Sequence, residues 1–188
     1  IGRKQTIQQE ILIRQILNAF STEVQSLESF TNGTEEAPNV LASARDIVQL
    51  LTPTFTLNKM RLQLAENIVS SVNWQVVGDK SRLDRILANL VENAFRHSPP
   101  NSTVTVNLQQ KEESIIVSVE DEGSGVPEEI ADSLFQKFTQ GSNKAGKSGL
   151  GLYFCKITVE RWGGEIGFTP REGGGSRFWF RLLKSKRE

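Results

Sequence analysis

The run from Leu83 to Pro100 sets the strongest constraint on the fold. Leu83, Leu87, Leu90, Val91 and Ala94 recur at helical spacing and share one face. Pro99-Pro100 cannot continue that helix, and the period then changes. Thr103 to Leu108 and Ile115 to Glu120 read as two strands joined by a polar turn. The remaining segments extend the theme. Val40 to Leu51 reads as a helix stopped near Pro53. Arg61 to Ala65 and Trp74 to Val77 read as short strands. An apolar helix from Leu150 to Trp162 stops at Gly163-Gly164. Gly164 to Phe168 and Arg177 to Leu183 close the pattern as strands around Gly173-Gly174-Gly175. Hairpin strands with separate helices imply a two-layer α/β sandwich, a mixed, mostly antiparallel sheet covered by helices.

The N-terminal part differs. Residues 5 to 30 read as a helical arm. Ile13, Leu17, Phe20, Val24 and Leu27 follow the 4, 3, 4, 3 spacing of a coiled-coil seam. Ile7, Ile11 and Ile16 lie off that seam. The arm is either a surface helix packed on the main domain or the tail of a dimerising helical hairpin. Thr31 to Pro38 is polar and turn-rich, so it reads as a linker. The expected division is 1–36, arm and linker, and 37–188, one domain. The 22 basic and 22 acidic residues balance, which points to no nucleic-acid partner. The single cysteine, Cys155, allows no internal disulfide and fits a reducing, cytoplasmic setting. No apolar run approaches the roughly 18 residues that span a bilayer. Ile1-Gly2-Arg3-Lys4 reads as the cut end of a longer chain, whose membrane anchoring is left open.

The periodic helix carries the first chemical signal. Ser81 followed by Asp84 has the form of a capping box at its start. Asn89 and Asn93 lie one turn apart, with Arg96 and His97 continuing the stripe. They fall at the border of the apolar face, where a pocket can form. Asparagine is a mediocre helix former, and its carbonyl oxygen suits Mg²⁺. A solvated polar face explains the same pattern.

Two glycine segments follow. Asp121-Glu122-Gly123-Ser124-Gly125 ends a strand, where Asp121 is a fixed acceptor and the glycines allow a tight turn. Ordinary turn chemistry would look the same. Ser148-Gly149-Leu150-Gly151-Leu152 opens a helix, and glycines there expose backbone N–H groups that favour phosphate. Between them, Leu134 to Gln140 leads into a loose polar stretch that would suit a lid over a nucleotide.

Four segments in order, N-L-V-E-N-A (Asn89 to Ala94), D-E-G-S-G (Asp121 to Gly125), L-F-Q-K-F (Leu134 to Phe138) and S-G-L-G-L (Ser148 to Leu152), then G-G-G-S-R-F-W-F (Gly173 to Phe180), resemble the ATP-binding catalytic domain of sensor histidine kinases, of the GHKL superfamily. Gly78-Asp79, Arg82-Leu83 and Arg85 resemble the family's lead-in to its asparagine helix. The resemblance implies ATP and Mg²⁺ as cofactors, with Asn93 the metal ligand and Asn89 beside it. It implies that Arg96 and His97 approach the phosphates and that Asp121 accepts from the adenine amino group. Gly123, Gly125, Phe138, Lys147, Ser148, Gly149, Leu150, Gly151 and Leu152 complete the nucleotide site. Asn89, Arg96 and Lys137 are its catalytic candidates. Phe135 and Phe138 would anchor the lid. The implied partners are a phosphoacceptor histidine on a helical hairpin, a response-regulator receiver domain and a second copy of the full-length kinase. Lys147 and Gln140 depart from the family's usual Gly and Arg.

Gly141 to Ser148 also matches the P-loop pattern G-x-x-x-x-G-K-[ST]. That motif needs a buried strand directly before it, and Phe135 and Phe138 stand at helical spacing instead. The one histidine, His97, ends the asparagine helix and lacks the context of a phosphoacceptor. GHKL relatives that hydrolyse ATP use a glutamate where Asn89 stands, so fast hydrolysis is not expected; Glu92 reads as a solvent-facing or supporting residue. A GHKL serine kinase of the anti-sigma type would use the same ATP site.

Overall fold

Residues 103 to 121 form the centre of a five-stranded sheet in the computed structural model, which describes residues 36–136 and 150–186. The elements are α1 (Val40–Leu57), β1 (Arg61–Leu64), α2 (Lys80–His97), β2 (Thr103–Lys111), β3 (Ser114–Asp121), α3 (Glu128–Ala131), α4 (Gly151–Arg161), β4 (Glu165–Pro170) and β5 (Ser176–Leu183). The strand order is β1-β2-β3-β5-β4. β1 runs parallel to β2, and the other pairs are antiparallel. This is the expected mixed, mostly antiparallel α/β sandwich. The expected helical arm lies outside the described residues.

Period-two alternation decides which side chains meet the helices. Val104, Val106 and Leu108 of β2, Ile115, Val117 and Val119 of β3, and Phe178, Phe180 and Leu182 of β5 are all buried. They form one inward row, and α2 packs on it between α1 and α4. Leu83, Leu87, Leu90, Val91 and Ala94 of α2 are fully buried, as the helical period requires. Each such large side chain contributes about 1.5–3 kcal/mol. Asp121 has the inward parity of β3. The strand's last residue therefore turns a carboxylate toward the helix layer.

Three local readings are corrected. α1 does not stop near Pro53 but runs through it to Leu57. Proline forfeits one helical hydrogen bond, but Leu51, Thr54 and Phe55 are buried on either side of it, and that packing outweighs the loss. The helix ends at Asn58, whose N–H donates to Phe55 O and whose Nδ2 donates to Thr54 O. Trp74 to Val77 is not a strand. It makes only single bridges, Asn39 with Gln75 and Val76 with Lys184. α2 starts two residues earlier than the Ser81–Asp84 pattern implied. Asp79 is the cap, its Oδ1 accepting from Arg82 N at 2.9 Å and its Oδ2 from Arg82 Nη1 at 2.8 Å. Asp84 instead meets Lys80 Nζ at 2.9 Å, which also reaches Asp46.

Candidate functional site

Asn89 and Asn93 are 7% and 5% exposed, so a solvated polar face is ruled out. Asn89 lies against the start of α4, its Nδ2 donating to Gly151 O at 3.4 Å. An added Cβ on Gly151 would come 3.4 Å from Asn89 Oδ1. α4 begins at Gly151 after Leu150, which provides no side-chain cap. Among the described residues no side chain caps its first N–H groups, which sit at the positive end of the helix dipole, where an anion is favoured. Asn93 Nδ2 is buried with no hydrogen-bond partner among the described residues. A buried amide left unpaired costs free energy unless a ligand satisfies it. Amide nitrogen and oxygen exchange places by a flip, so this side chain can offer its oxygen to a hard cation. Among the described residues no cluster of three His, Cys, Asp or Glu could hold a metal. A Mg²⁺ here would lean on one protein oxygen, ligand phosphates and water, the usual arrangement for that ion. The residues present therefore fit Mg²⁺.

At the other end of α2 lies the Asp121 turn. Asp121 is 1% exposed. Its Oδ1 accepts from Gly123 N at 2.9 Å and Ser176 N at 3.3 Å. Both hydrogen bonds recorded to the carboxylate fall on Oδ1. Burial holds the carboxyl above its ordinary range, opposed by those two N–H donors and by the positive influence of His97 and Arg171. The turn is built on close backbone contacts. A Cβ on Gly123 would lie 2.1 Å from His97 O, and one on Gly175, at φ +100, would lie 2.0 Å from Asp121 O. Gly125 has φ +81. Arg171 reaches over the turn, with Nη1 3.4 Å from Asp121 O and Nε 3.8 Å from Glu120 Oε2.

Between these ends, Arg96 pairs with Glu92 at 2.9 Å. Glu92 is only 12% exposed at its side chain, so it supports Arg96 and is not solvent-facing. His97 is exposed, and its carbonyl touches the Gly123 turn. Leu150 and Leu152 flank Gly151, and Leu152 packs against the core. Phe135 meets Phe178 edge-on at 6.2 Å, and Phe178 meets Phe168 at 5.3 Å. Phe135 is thus anchored in the core. Lys137, Phe138, Lys147, Ser148 and Gly149 lie outside the described residues.

Sequence reasoning missed Ser176, Arg171 and the site role of Gly175. Gly173 to Phe180 entered the resemblance with no site role given to Gly175 or Ser176, and no motif covered Arg171. Arg85 is also buried, its guanidinium 3.8 Å over the Phe154 ring. This cation–π contact ties α2 to α4 one turn below Asn89. Cys155 packs beside them, fully buried, its thiol pushed up to about 12 by burial. It is expected to stay unmodified by a thiol reagent in the native protein and to react on unfolding, which mass spectrometry checks. Modification of the folded protein would contradict its burial.

The model of the family described as histidine kinase-, DNA gyrase B- and HSP90-like ATPase matches residues 78–186. The alginate biosynthesis sensor protein KinB of Pseudomonas aeruginosa is 30% identical over 95% of this chain and 30% of its own length. The signal transduction histidine-protein kinase BarA of Escherichia coli K12 is 35% identical over 79% of this chain and 17% of its own. The chain thus spans less than a third of the length of these curated relatives. Among solved structures, the catalytic domain of histidine kinase ThkA superposes with a TM-score of 0.70 at 25% identity, covering 79% of this chain and 95% of that one.

Proposed function

The chain belongs to the family of histidine kinase-, DNA gyrase B- and HSP90-like ATPases, and we propose that it is the Mg²⁺-ATP-binding catalytic domain of a two-component sensor histidine kinase. One observation carries this reading: buried Asn89 of α2 lies against the start of α4, Asn93 one turn on is buried with its Nδ2 unpartnered among the described residues, and the far end of the same helix abuts the turn that follows the buried Asp121. Asn89 and His97 are eight residues apart, about 12 Å along the axis. An extended nucleotide fits that span, with phosphates at α4 and adenine at Asp121. Asn93 would hold Mg²⁺, which when bound neutralises phosphate charge. Arg96, braced by Glu92, would meet the phosphates. Lys137, Phe138, Lys147, Ser148 and Gly149 would complete the phosphate side as a lid.

Phosphoryl transfer needs positioning and charge stabilisation more than covalent chemistry. That suits a site with asparagine at position 89. Asn89 cannot take a proton from water, and Glu92 is engaged with Arg96. The site therefore favours transfer to an external group over hydrolysis. We assign as acceptor a histidine on a helical hairpin, with residues 1–36 as the arm joined to that hairpin and residues 37–188 as the catalytic domain. A response-regulator receiver domain would take the phosphoryl group onward. The working form would be a homodimer on the cytoplasmic side, where ATP is available. A GHKL serine kinase would share the site and differ in its acceptor. The P-loop reading is disfavoured because residues 132–136, which lead into the motif, are turns and not a buried strand.

The test is nucleotide titration with and without Mg²⁺. Asn93→Ala is expected to abolish the Mg²⁺-dependent gain in ATP affinity and to leave the Mg²⁺-free affinity nearly intact. An unchanged Mg²⁺ response would remove Asn93 from the metal site. Lys147→Ala is expected to weaken binding only modestly, because backbone N–H groups carry the phosphate contact. A loss of several orders of magnitude would restore the P-loop. For the acceptor, the chain is expected to label a cognate histidine hairpin supplied in trans, with acid-labile phosphate, and not itself. Stable labelling of serine would favour the serine kinase.

A further inference from the structure

On the far side of β2 from β3, beyond the end of β1, lies an open groove of about 400 Å³. Trp74 and Leu108, nearly buried, line its base, and Val69 and Val72 stand on its rim 56% and 38% exposed. Trp74 is fixed by its Nε1, which donates to Val69 O at 2.9 Å. β1 pairs with β2 only from Thr103 to Val106. One step further along, Leu108 N–H takes its partner from the Asn107 side chain at 2.9 Å. Exposed valines beside an open strand edge form the kind of apolar surface that a partner covers.

The path of the chain indicates the occupant. Residues 38 to 40 are stitched to this loop: Val76 N donates to Pro38 O at 3.0 Å, and Val40 N donates to Trp74 O at 3.0 Å. The N-terminal segment therefore joins the body beside the groove. Its last large apolar residues are Leu27 and Phe30, followed by turn-rich Thr31-Asn32-Gly33-Thr34. Phe30 stands eight residues before Pro38, a tether of at most about 28 Å. Phe30 also lies off the heptad seam, which remains available for another helix. We propose that Phe30, with Leu27 beside it, seats in the Trp74–Val72 groove and fixes the N-terminal arm against the domain. The inference is independent of the nucleotide site.

Hydrogen exchange on the full chain tests it, comparing wild type with Phe30→Ser, Phe30→Leu and Val72→Asp. In the wild type, residues 23–35 are expected to be protected. Phe30→Ser and Val72→Asp are each expected to speed exchange both there and across residues 66–74 by about tenfold, the ratio that burial of one aromatic side chain supports. Phe30→Leu should retain most of the protection, and α2 should be unchanged throughout. If Phe30→Ser unfolds the domain, Val72→Asp, on an exposed side chain, gives the same readout. Three results overturn the proposal: residues 23–35 unprotected in the wild type, residues 66–74 indifferent to Phe30→Ser, or protection that grows with protein concentration. The last would seat a second copy in the groove.

Discussion

Gly175→Ala is expected to lower stability by about 3 kcal/mol, combining an overpacked contact with a left-handed backbone that alanine disfavours. The added Cβ would stand 2.0 Å from Asp121 O and 3.1 Å from Glu122 Cα, at φ +100. Both neighbours are backbone, so no flexible side chain can move aside. Gly174→Ala is the control. Its φ is +110, yet an added Cβ meets nothing within 4 Å, so only the backbone cost of about 1 kcal/mol remains. For a chain of this size the larger loss corresponds to a Tm lowered by about 6–12 °C. Nucleotide affinity should fall further in Gly175→Ala than its stability loss accounts for, because Ser176 N is one of the two donors that fix the Asp121 carboxylate. Thermal unfolding of the two variants decides the matter. Equal stability of Gly174→Ala and Gly175→Ala would show that the turn yields and that the close approach is not a constraint.

The contrast between those glycines also shows what was legible in the sequence. Period carried the fold: the α2 face and the inward rows of β2, β3 and β5 follow directly from spacing. The asparagine pair was visible because two poor helix formers one turn apart inside an apolar helix need a reason. What failed was information held in tertiary contacts. Pro53 marks a helix end only until the burial of Leu51 and Phe55 is known. Ser81–Asp84 has the form of a capping box, but the first helical turn is capped by Asp79 while Lys80 draws Asp84 away. Glu92 was open between a solvent-facing and a supporting residue, and its 2.9 Å pairing with Arg96 selects the second. Gly173, Gly174 and Gly175 are indistinguishable in sequence, yet only the third lies against Asp121. Ser176 acts through its backbone, so no side-chain motif could have disclosed it.

Asp121→Asn is expected to separate stability from recognition. A carboxyl whose folded pKa is raised binds its proton more tightly in the native state. The stability it contributes therefore grows as pH falls through the folded pKa and is lost as pH rises above it. At neutral pH the buried, ionised Asp121 is a cost to folding, with burial as the main cause. Asparagine removes that cost and keeps an Oδ1 able to accept from Gly123 N and Ser176 N. The variant should be as stable as the wild type at neutral pH or more so, and any advantage should shrink as pH falls toward the ordinary carboxylate range near about 4. Recognition should move the other way. A carboxylate only accepts, which suits the amino group of adenine and opposes the carbonyl oxygen of guanine. A hydrogen bond to a charged group contributes roughly 1.5–3 kcal/mol, which implies a preference for ATP over GTP of about tenfold to several hundredfold. An amide can rotate to donate, so Asp121→Asn should bind ATP more weakly and lose most of that preference. Competitive titration of the two nucleotides, run beside unfolding curves at two pH values, checks both halves. An unchanged ATP/GTP ratio would take Asp121 out of the base site, and a variant less stable than wild type at neutral pH would show that the carboxylate holds the Gly123 turn together.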